Sequence, residues 1–170
     1  MISANHVRIR DYCSQDFNPL WLLDQQCFPP GVAYTRFELM SYIRSPGAFT
    51  LVAEQMAEGG GESLRLGFLV AERGVNPRRP LAGEGTRGHI VTLDIVAEAR
   101  RRGIASLLMD EAERRLLAAE CSVCYLEVAV NNDAAIAFYQ RRGYRQLSTI
   151  PGYYGKGRDA LLMARNLRGA

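Results

Sequence analysis

The chain has 170 residues, 48% of them hydrophobic and 23% charged, with a formal net charge of +3. That composition excludes a disordered, collagenous or coiled-coil chain and predicts one domain, 1–170, with a sizeable core. The weak net charge argues against nucleic acid as a partner, and no run of about 18 apolar residues exists to cross a bilayer.

Met1–Arg10 carries charges where a signal peptide needs an apolar stretch, so the cytoplasm is the expected compartment. Val7 and Ile9 then alternate as in a strand. Asp16–Cys27 (DFNPLWLLDQQC) follows as a helix with Leu20, Leu23 and Cys27 on its apolar face, and Pro29, Pro30 and Gly31 end it. Thr35 opens a second helix, with Glu38 at capping-box spacing and Phe37, Met40 and Ile43 as its predicted buried face; Pro46 and Gly47 close it. Phe49–Met56 and Leu64–Glu72 read as a hairpin around a glycine-rich turn. The next connection, Arg73–Arg87, holds Pro77 and Pro80 and is expected to be mobile. Gly83, Gly85 and Gly88 spell G-x-G-x-x-G, but no strand precedes them and a strand follows, so a dinucleotide fingerprint is rejected.

Gly88–Val96 reads as a strand, and from Ile104 the apolar positions change to helical spacing: Ile104, Leu107, Leu108, Ala112 and Leu116. Asp110 with Arg114 and Glu111 with Arg115 form i,i+4 pairs on the other face. The turn between strand and helix leaves the backbone N–H groups around Arg102–Ala105 without a Ser or Asp cap. A helix N-terminus carries partial positive charge, Gly103 admits a close approach, and Arg100, Arg101 and Arg102 add cationic charge. These residues suit an anion, phosphate above all. A plain helix start beside a solvated arginine run is the other reading, and no GK[ST] follows to make a Walker loop.

Ser122–Val128 returns as an apolar strand, which makes a parallel pair with the strand before the turn. Asn131 or Asn132 caps a helix, Asp133–Arg141, that Gly143 stops; Tyr144–Ile150 and Asp159–Asn166 form a final hairpin around Pro151–Gly157. The C-x-x-C of Cys121 and Cys124 invites a zinc or redox reading. It fails, because residues three apart on a strand face opposite ways and neither Cys13 and Cys27 nor His6 and His89 supply a second knuckle. Reduced core thiols and no metal are expected. The one lysine, Lys156, lies between glycines, a poor setting for Schiff-base chemistry.

The element order, with Arg100-x-x-Gly103-x-Ala105 at the central turn, resembles the GNAT superfamily of acetyl-CoA-dependent N-acetyltransferases, whose motif is [Q/R]-x-x-G-x-[G/A]. A second block, Leu126-Glu127-Val128, Asn132, Ala135-Ile136-Ala137-Phe138-Tyr139 and Gly143-Tyr144, is similar to the ribosomal-protein alanine acetyltransferase (RimI) type. Gly152-Tyr153-Tyr154 and Asp159-Ala160-Leu161-Leu162-Met163 are similar to that type too, whereas the first half of the chain matches in layout only. The resemblance implies an α/β (α+β) fold: a mixed, mostly antiparallel sheet of about seven strands with a splayed parallel pair, flanked by about four helices. It implies acetyl-CoA as co-substrate, with the backbone of Leu93, Asp94 and Ile95 pairing with its pantetheine arm and the Ile95 N–H facing the thioester carbonyl. Amides of Arg101, Arg102, Gly103, Ile104, Ala105 and Ser106 would hold the pyrophosphate, and Asn132 the pantetheine arm, unless Asn132 serves as a helix cap alone.

Acetyl transfer to an amine needs a neutral amine, a polarised carbonyl and a proton for the departing thiolate. Glu127 matches the family's base position; its other reading is a carboxylate paired to one of many arginines. On a strand it shares a face with Tyr125 and Ala129, so it need not lie in the core. Tyr139 matches the general acid, and an unperturbed phenol, pKa about 10, holds its proton at neutral pH. Ala135, Phe138 and Tyr139 also read as the inner face of a helix. Tyr153 and Tyr154, and the stretch Phe28–Tyr34, would shape an acceptor pocket. Transfer is expected to be direct, since no cysteine in these motifs sits beside an activating histidine. The acceptor expected is a protein or peptide N-terminus, an α-amine of pKa about 8 being far more often neutral than a lysine of about 10.4. A small-amine or antibiotic acetyltransferase and a non-catalytic acyl-CoA sensor are the alternatives.

Overall fold

The computed structural model describes residues 7–56, 63–74 and 86–169. Among them are seven strands, β1 (Val7–Asp11), β2 (Ala48–Gln55), β3 (Leu64–Gly74), β4 (Arg87–Ile95), β5 (Val123–Ala129), β6 (Arg145–Ile150) and β7 (Ala160–Asn166). Four α-helices accompany them: α1 (Phe17–Cys27), α2 (Arg36–Ile43), α3 (Ile104–Ala118) and α4 (Asp133–Arg141). The strands form one sheet in the order β1-β2-β3-β4-β5-β7-β6. β4 and β5 run parallel from Arg87↔Val123 to Ile90↔Leu126, where their register ends. The pairs β1–β2, β2–β3, β5–β7 and β6–β7 are antiparallel. This is the mixed sheet with one parallel pair that the motif order implied. The turn at 58–62 and the connection over 75–85, including Gly83 and Gly85, lie outside the described residues.

The chain divides into two compact units, Met1–Glu72 with Thr92–Ala112 and Arg73–Val91 with Glu113–Ala170. In the first, Leu20 and Leu23 of α1 and Leu39 of α2 are buried with Leu51, Leu66, Phe68 and Leu69 of β2 and β3. Thr35 and Glu38 complete the capping box, each accepting from the other's backbone N–H at 3.2 and 2.8 Å. Phe37, expected inside, is 82% exposed, while Leu39 is fully buried and Met40 and Ile43 half-buried. Phe37 lies two residues, about 200°, around the helix from Leu39, so burying one turns the other outward. The same shift occurs in α3, where Met109 is buried and Leu107 is 42% exposed.

Asp16, fully buried, ties the edge of this unit together. It accepts two bonds from the Arg10 guanidinium at 2.7 and 2.9 Å, one from Arg65 Nε at 3.2 Å and one from the Cys13 amide at 2.9 Å. Burial alone would raise its pKa, but the Arg10 and Cys13 hydrogen bonds outweigh it and hold the carboxyl well below the usual range. At Gly67 of β3, a Cβ would lie 2.5 Å from the Asp94 carbonyl oxygen and 2.6 Å from Ile95 Cδ1. Glycine is what lets β3 lie this close to the end of β4.

In the second unit, Gly88 performs the same service for the far end of α3: a Cβ there would sit 2.5 Å from Leu116 Cδ1. Glu113 gathers three elements, accepting from Arg142 and Arg165 at 2.8 Å each and from the Tyr144 hydroxyl at 3.0 Å. Cys124, buried in β5, is pushed up to about 12 by desolvation, and Cys121 is raised by burial as well. Both are inert thiols of the core.

Candidate active site

The central turn belongs to the first unit. β4 ends at Ile95, a 3-10 turn covers Ala97–Ala99, and Arg100 is extended with φ −65° and ψ 155°. Arg101 then takes φ +60° and Gly103 φ +80° before α3 begins. A left-handed arginine is uncommon, and such backbone clusters at functional sites. The Gly103 carbonyl accepts from the Leu107 amide at 3.0 Å, which makes Gly103 the N-cap residue and leaves the first turn of α3 with no capping side chain. A Cβ at Gly103 would meet nothing within 4 Å, so the turn opens onto free space. Arg101 and Arg102 are exposed there. Arg100 is committed elsewhere: its Nε donates to the Ile95 carbonyl at 3.1 Å, which also accepts from Cys27 Sγ at 3.3 Å. The strand end expected to pair with pantetheine is therefore pinned from its carbonyl side. Asp94 turns its side chain into the interior, where Thr92 Oγ1 donates to it at 2.6 Å, so only its backbone is left for a ligand.

The second unit holds the residues expected to do chemistry. Glu127 Oε2 lies 2.8 Å from His89 Nε2, and their side chains are only 4% and 9% exposed. His89 stacks on Tyr125 with ring centroids 4.4 Å apart and an interplanar angle of 8°. The parallel register explains the meeting: His89 stands opposite Tyr125, and Glu127 follows two residues on, on the same face. The pattern of β5 left Glu127 free to lie outside the core, with an arginine pair as its other reading; in the structure its carboxylate is buried and bonds a histidine. A neutral imidazole at this distance donates its Nε2 proton to the carboxylate.

Tyr154 closes over the same strand, its hydroxyl donating to the Glu127 carbonyl at 3.3 Å and its ring edge-on to Tyr153 at 4.7 Å. Their loop is built by the positive φ of Gly152, Gly155 and Gly157 and by the Gly152 amide donating to Asp159 at 2.8 Å. Lys156 is exposed on it. Tyr139 is buried in α4, edge-to-face with Phe138 and Tyr144 at 5.3 and 5.8 Å. Asn132 caps α4 by accepting from the Ala135 amide at 3.2 Å, a bond that uses its carbonyl oxygen and leaves its NH2 as a donor. Among the described residues no group of three or more His, Cys, Asp or Glu side chains is arranged to hold a metal, and no helix is long and apolar enough to cross a membrane.

Set against known proteins, residues 17–144 match the family described as acetyltransferase (GNAT). The chain is 40% identical over 83 residues to an N-alpha-acetyltransferase of Saccharolobus solfataricus, a stretch covering 48% of this chain and 49% of that protein. It is 26% identical over 167 residues to an N-alpha-acetyltransferase of Sulfurisphaera tokodaii, covering 96% and 95%. The chain spans about half the length of the first curated relatives it matches, 49% and 51%. Arabidopsis thaliana NAA60 in complex with a bisubstrate analogue shares the fold, with a TM-score of 0.81 at 24% identity over 94% of this chain and 97% of that one. The ribosomal-protein-S18-alanine N-acetyltransferase of Escherichia coli shares it as well, with a TM-score of 0.72 at 17% identity over 95% and 94%. With three quarters of its length inside the family match and the family's sheet around its motifs, this chain belongs to the acetyltransferase (GNAT) family.

Proposed function

We propose that this protein is an acetyl-CoA-dependent N-acetyltransferase that acts on the α-amine of a protein or peptide N-terminus. The observation that carries the reading is the Glu127 carboxylate held at 2.8 Å by His89 on the strand where the family keeps its base. Acetyl-CoA supplies the activated acetyl group. The open, uncapped turn at Gly103 fits its pyrophosphate, with amides from Arg101 to Ser106 as donors, the backbone of Leu93–Ile95 along the pantetheine arm and the Asn132 NH2 as a further donor to it.

Glu127, fixed in one orientation by His89, takes the amine's proton through a bridging water, since its side chain is nearly closed to solvent. Tyr139 provides the proton that the leaving sulfur takes up. Tyr153 and Tyr154 stand at the edge of the Glu127 strand and select the first residues of the acceptor. The names of the N-alpha-acetyltransferase relatives support the α-amine, and the S18-alanine enzyme's likeness in fold keeps the RimI type within the proposal. We place the enzyme in the cytoplasm, where thiols such as Cys121 and Cys124 stay reduced.

The test is an acetyl-CoA assay across N-terminal peptides, internal-lysine peptides, polyamines and aminoglycosides. Turnover that varies with the first two or three residues of the peptides is expected. Preference for a polyamine or aminoglycoside with inert N-terminal peptides would overturn the reading in favour of a small-amine enzyme, and no turnover of any acceptor would favour an acyl-CoA sensor.

A further inference from the structure

Two acids of the first unit are buried against each other, and neither belongs to the chemistry above. Asp24, in the last turn of α1, is 0% exposed, and the side chain of Asp94, one residue before the end of β4, lies in a residue 1% exposed. The two carboxyls are in hydrogen-bond contact. Every other bond they make uses one oxygen of each. Asp24 Oδ2 accepts from the Tyr34 amide at 2.8 Å and from Gln25 Nε2 at 3.0 Å, and Asp94 Oδ1 accepts from Thr92 Oγ1 at 2.6 Å. Asp24 Oδ1 and Asp94 Oδ2 are buried with no donor reaching either. Two ionised carboxylates cannot bond to one another, and two such oxygens in the interior are costly to leave unpartnered. One proton between them satisfies both.

We propose that Asp24 and Asp94 hold a single proton in common, and that this proton fastens the connection between α1 and α2 to the end of β4. The connection is gripped at one residue: Asp24 takes the Tyr34 N–H, while Trp21 Nε1 and Gln25 Nε2 donate to the Tyr34 carbonyl at 3.1 and 2.8 Å. The other charged or titratable groups acting on the pair are Glu38 from α2, Cys27 from α1 and Arg100 from the turn after β4. Arg100, the cation among them, is turned to the Ile95 carbonyl and Cys27, and Glu38 adds repulsion. A second negative charge on the pair would thus meet no new counter-charge. Desolvation lifts the Asp24 carboxyl to about 6 and Asp94 well above its usual range, in keeping with the shared proton. Both folded values lie above the unfolded ones, so the stabilisation is complete at low pH and is lost as pH rises from the ordinary Asp value through about 6 and beyond.

Trp21 is the single tryptophan, and it bonds the same residue, Tyr34, that Asp24 holds, so its emission reports the connection directly. In the full chain, Trp21 emission should shift to the red in a one-proton transition above pH 6, before global unfolding. In Asp94→Asn the amide replaces the shared proton with a permanent N–H donor, and the transition should be lost. Carbon-13 NMR of the aspartate carboxyls in the unmodified protein gives a second reading, with the pair retaining one proton at pH 7. An identical emission transition in Asp94→Asn would overturn the proposal. So would carboxyl shifts showing both acids ionised at pH 7, a measurement that stands even if the variant does not fold.

Discussion

Gly67→Ala puts a methyl group where β3 and the end of β4 almost touch. The new Cβ would sit 2.5 Å from the Asp94 carbonyl oxygen, 2.6 Å from Ile95 Cδ1 and 3.3 Å from Ile95 Cα. An ordinary carbon-to-carbonyl contact is about 3.3 Å, so the Asp94 peptide must retreat by about 0.8 Å. Ile95 Cδ1 can swing away, but Ile95 is in the core, and an off-rotamer side chain costs about 0.5–1.5 kcal/mol. The Val96 amide bonds the Leu66 carbonyl at 2.9 Å beside the clash, and stretching that bond past its useful range costs about another 0.5–1.5 kcal/mol. Alanine returns about 0.4–1 kcal/mol by stiffening the unfolded chain. The net loss is about 1–2 kcal/mol, read as a lower midpoint in urea unfolding with the same slope, or a fall in Tm of about 2–8 °C. A Gly67→Ala midpoint equal to or above that of the unmodified protein would refute this account of the strand contact.

Asp16→Asn removes the buried charge that Arg10 and Arg65 share, leaves Arg10 paired with Glu54, and should cost about 1.5–3 kcal/mol in chemical unfolding. Because the folded pKa of Asp16 is depressed, its contribution is present above the ordinary Asp value and lost as pH falls through the lower folded one, so the unmodified protein should lose stability on acidification more steeply than the variant. Gly103→Asp places a side chain and a negative charge in the open turn; calorimetry should show coenzyme A affinity falling, and unchanged affinity in a folded variant would remove the site from that turn. Glu127→Gln should lower kcat about 10²–10⁴-fold and flatten the low-pH limb of the rate profile, His89→Phe should keep the stack on Tyr125 yet lose most of the same rate, and Tyr139→Phe should depress kcat; near-normal rates in all three would leave these residues structural.

Local chemistry made much of the fold legible in the sequence. Thr35 with Glu38, Asn132 before Asp133, and Gly143 after Arg141 are signals whose partners lie within four residues, and the helices start and stop beside them. The two strands and the helix around the central turn followed from a change of apolar period. Periodicity could not choose between near neighbours on a helix, which is why Leu39 displaced Phe37 and Met109 displaced Leu107. Nor could it reveal partnerships that depend on register. His89 meets Glu127 only because β4 and β5 run parallel with His89 opposite Tyr125, and a carboxylate on an alternating strand carries no mark of that neighbour. β4 did hold one usable signal, since His89 is one of only two histidines in the chain and falls within a strand. Asp16 and Asp24 were hidden for a related reason: Arg65 of β3 and the Tyr34 amide reach them from outside their own helices, and a lone acid beside apolar helix positions reads as solvated until such partners are in place.

Lys156, raised on the glycine-built loop that carries Tyr153 and Tyr154, is the molecule's one side-chain amine. An amine-directed dye or cross-linker therefore has one side chain to attack. It lands two residues from Tyr154, whose hydroxyl rests on the backbone of Glu127. A fluorophore placed there would watch the loop without any engineered cysteine, and the four native thiols could stay untouched. The same scarcity bears directly on the proposed acetyl transfer: with arginine in nearly every cationic position, the chain offers such chemistry almost no side chain of its own to modify, so mass spectrometry of the protein after long incubation with acetyl-CoA should read a single side-chain site.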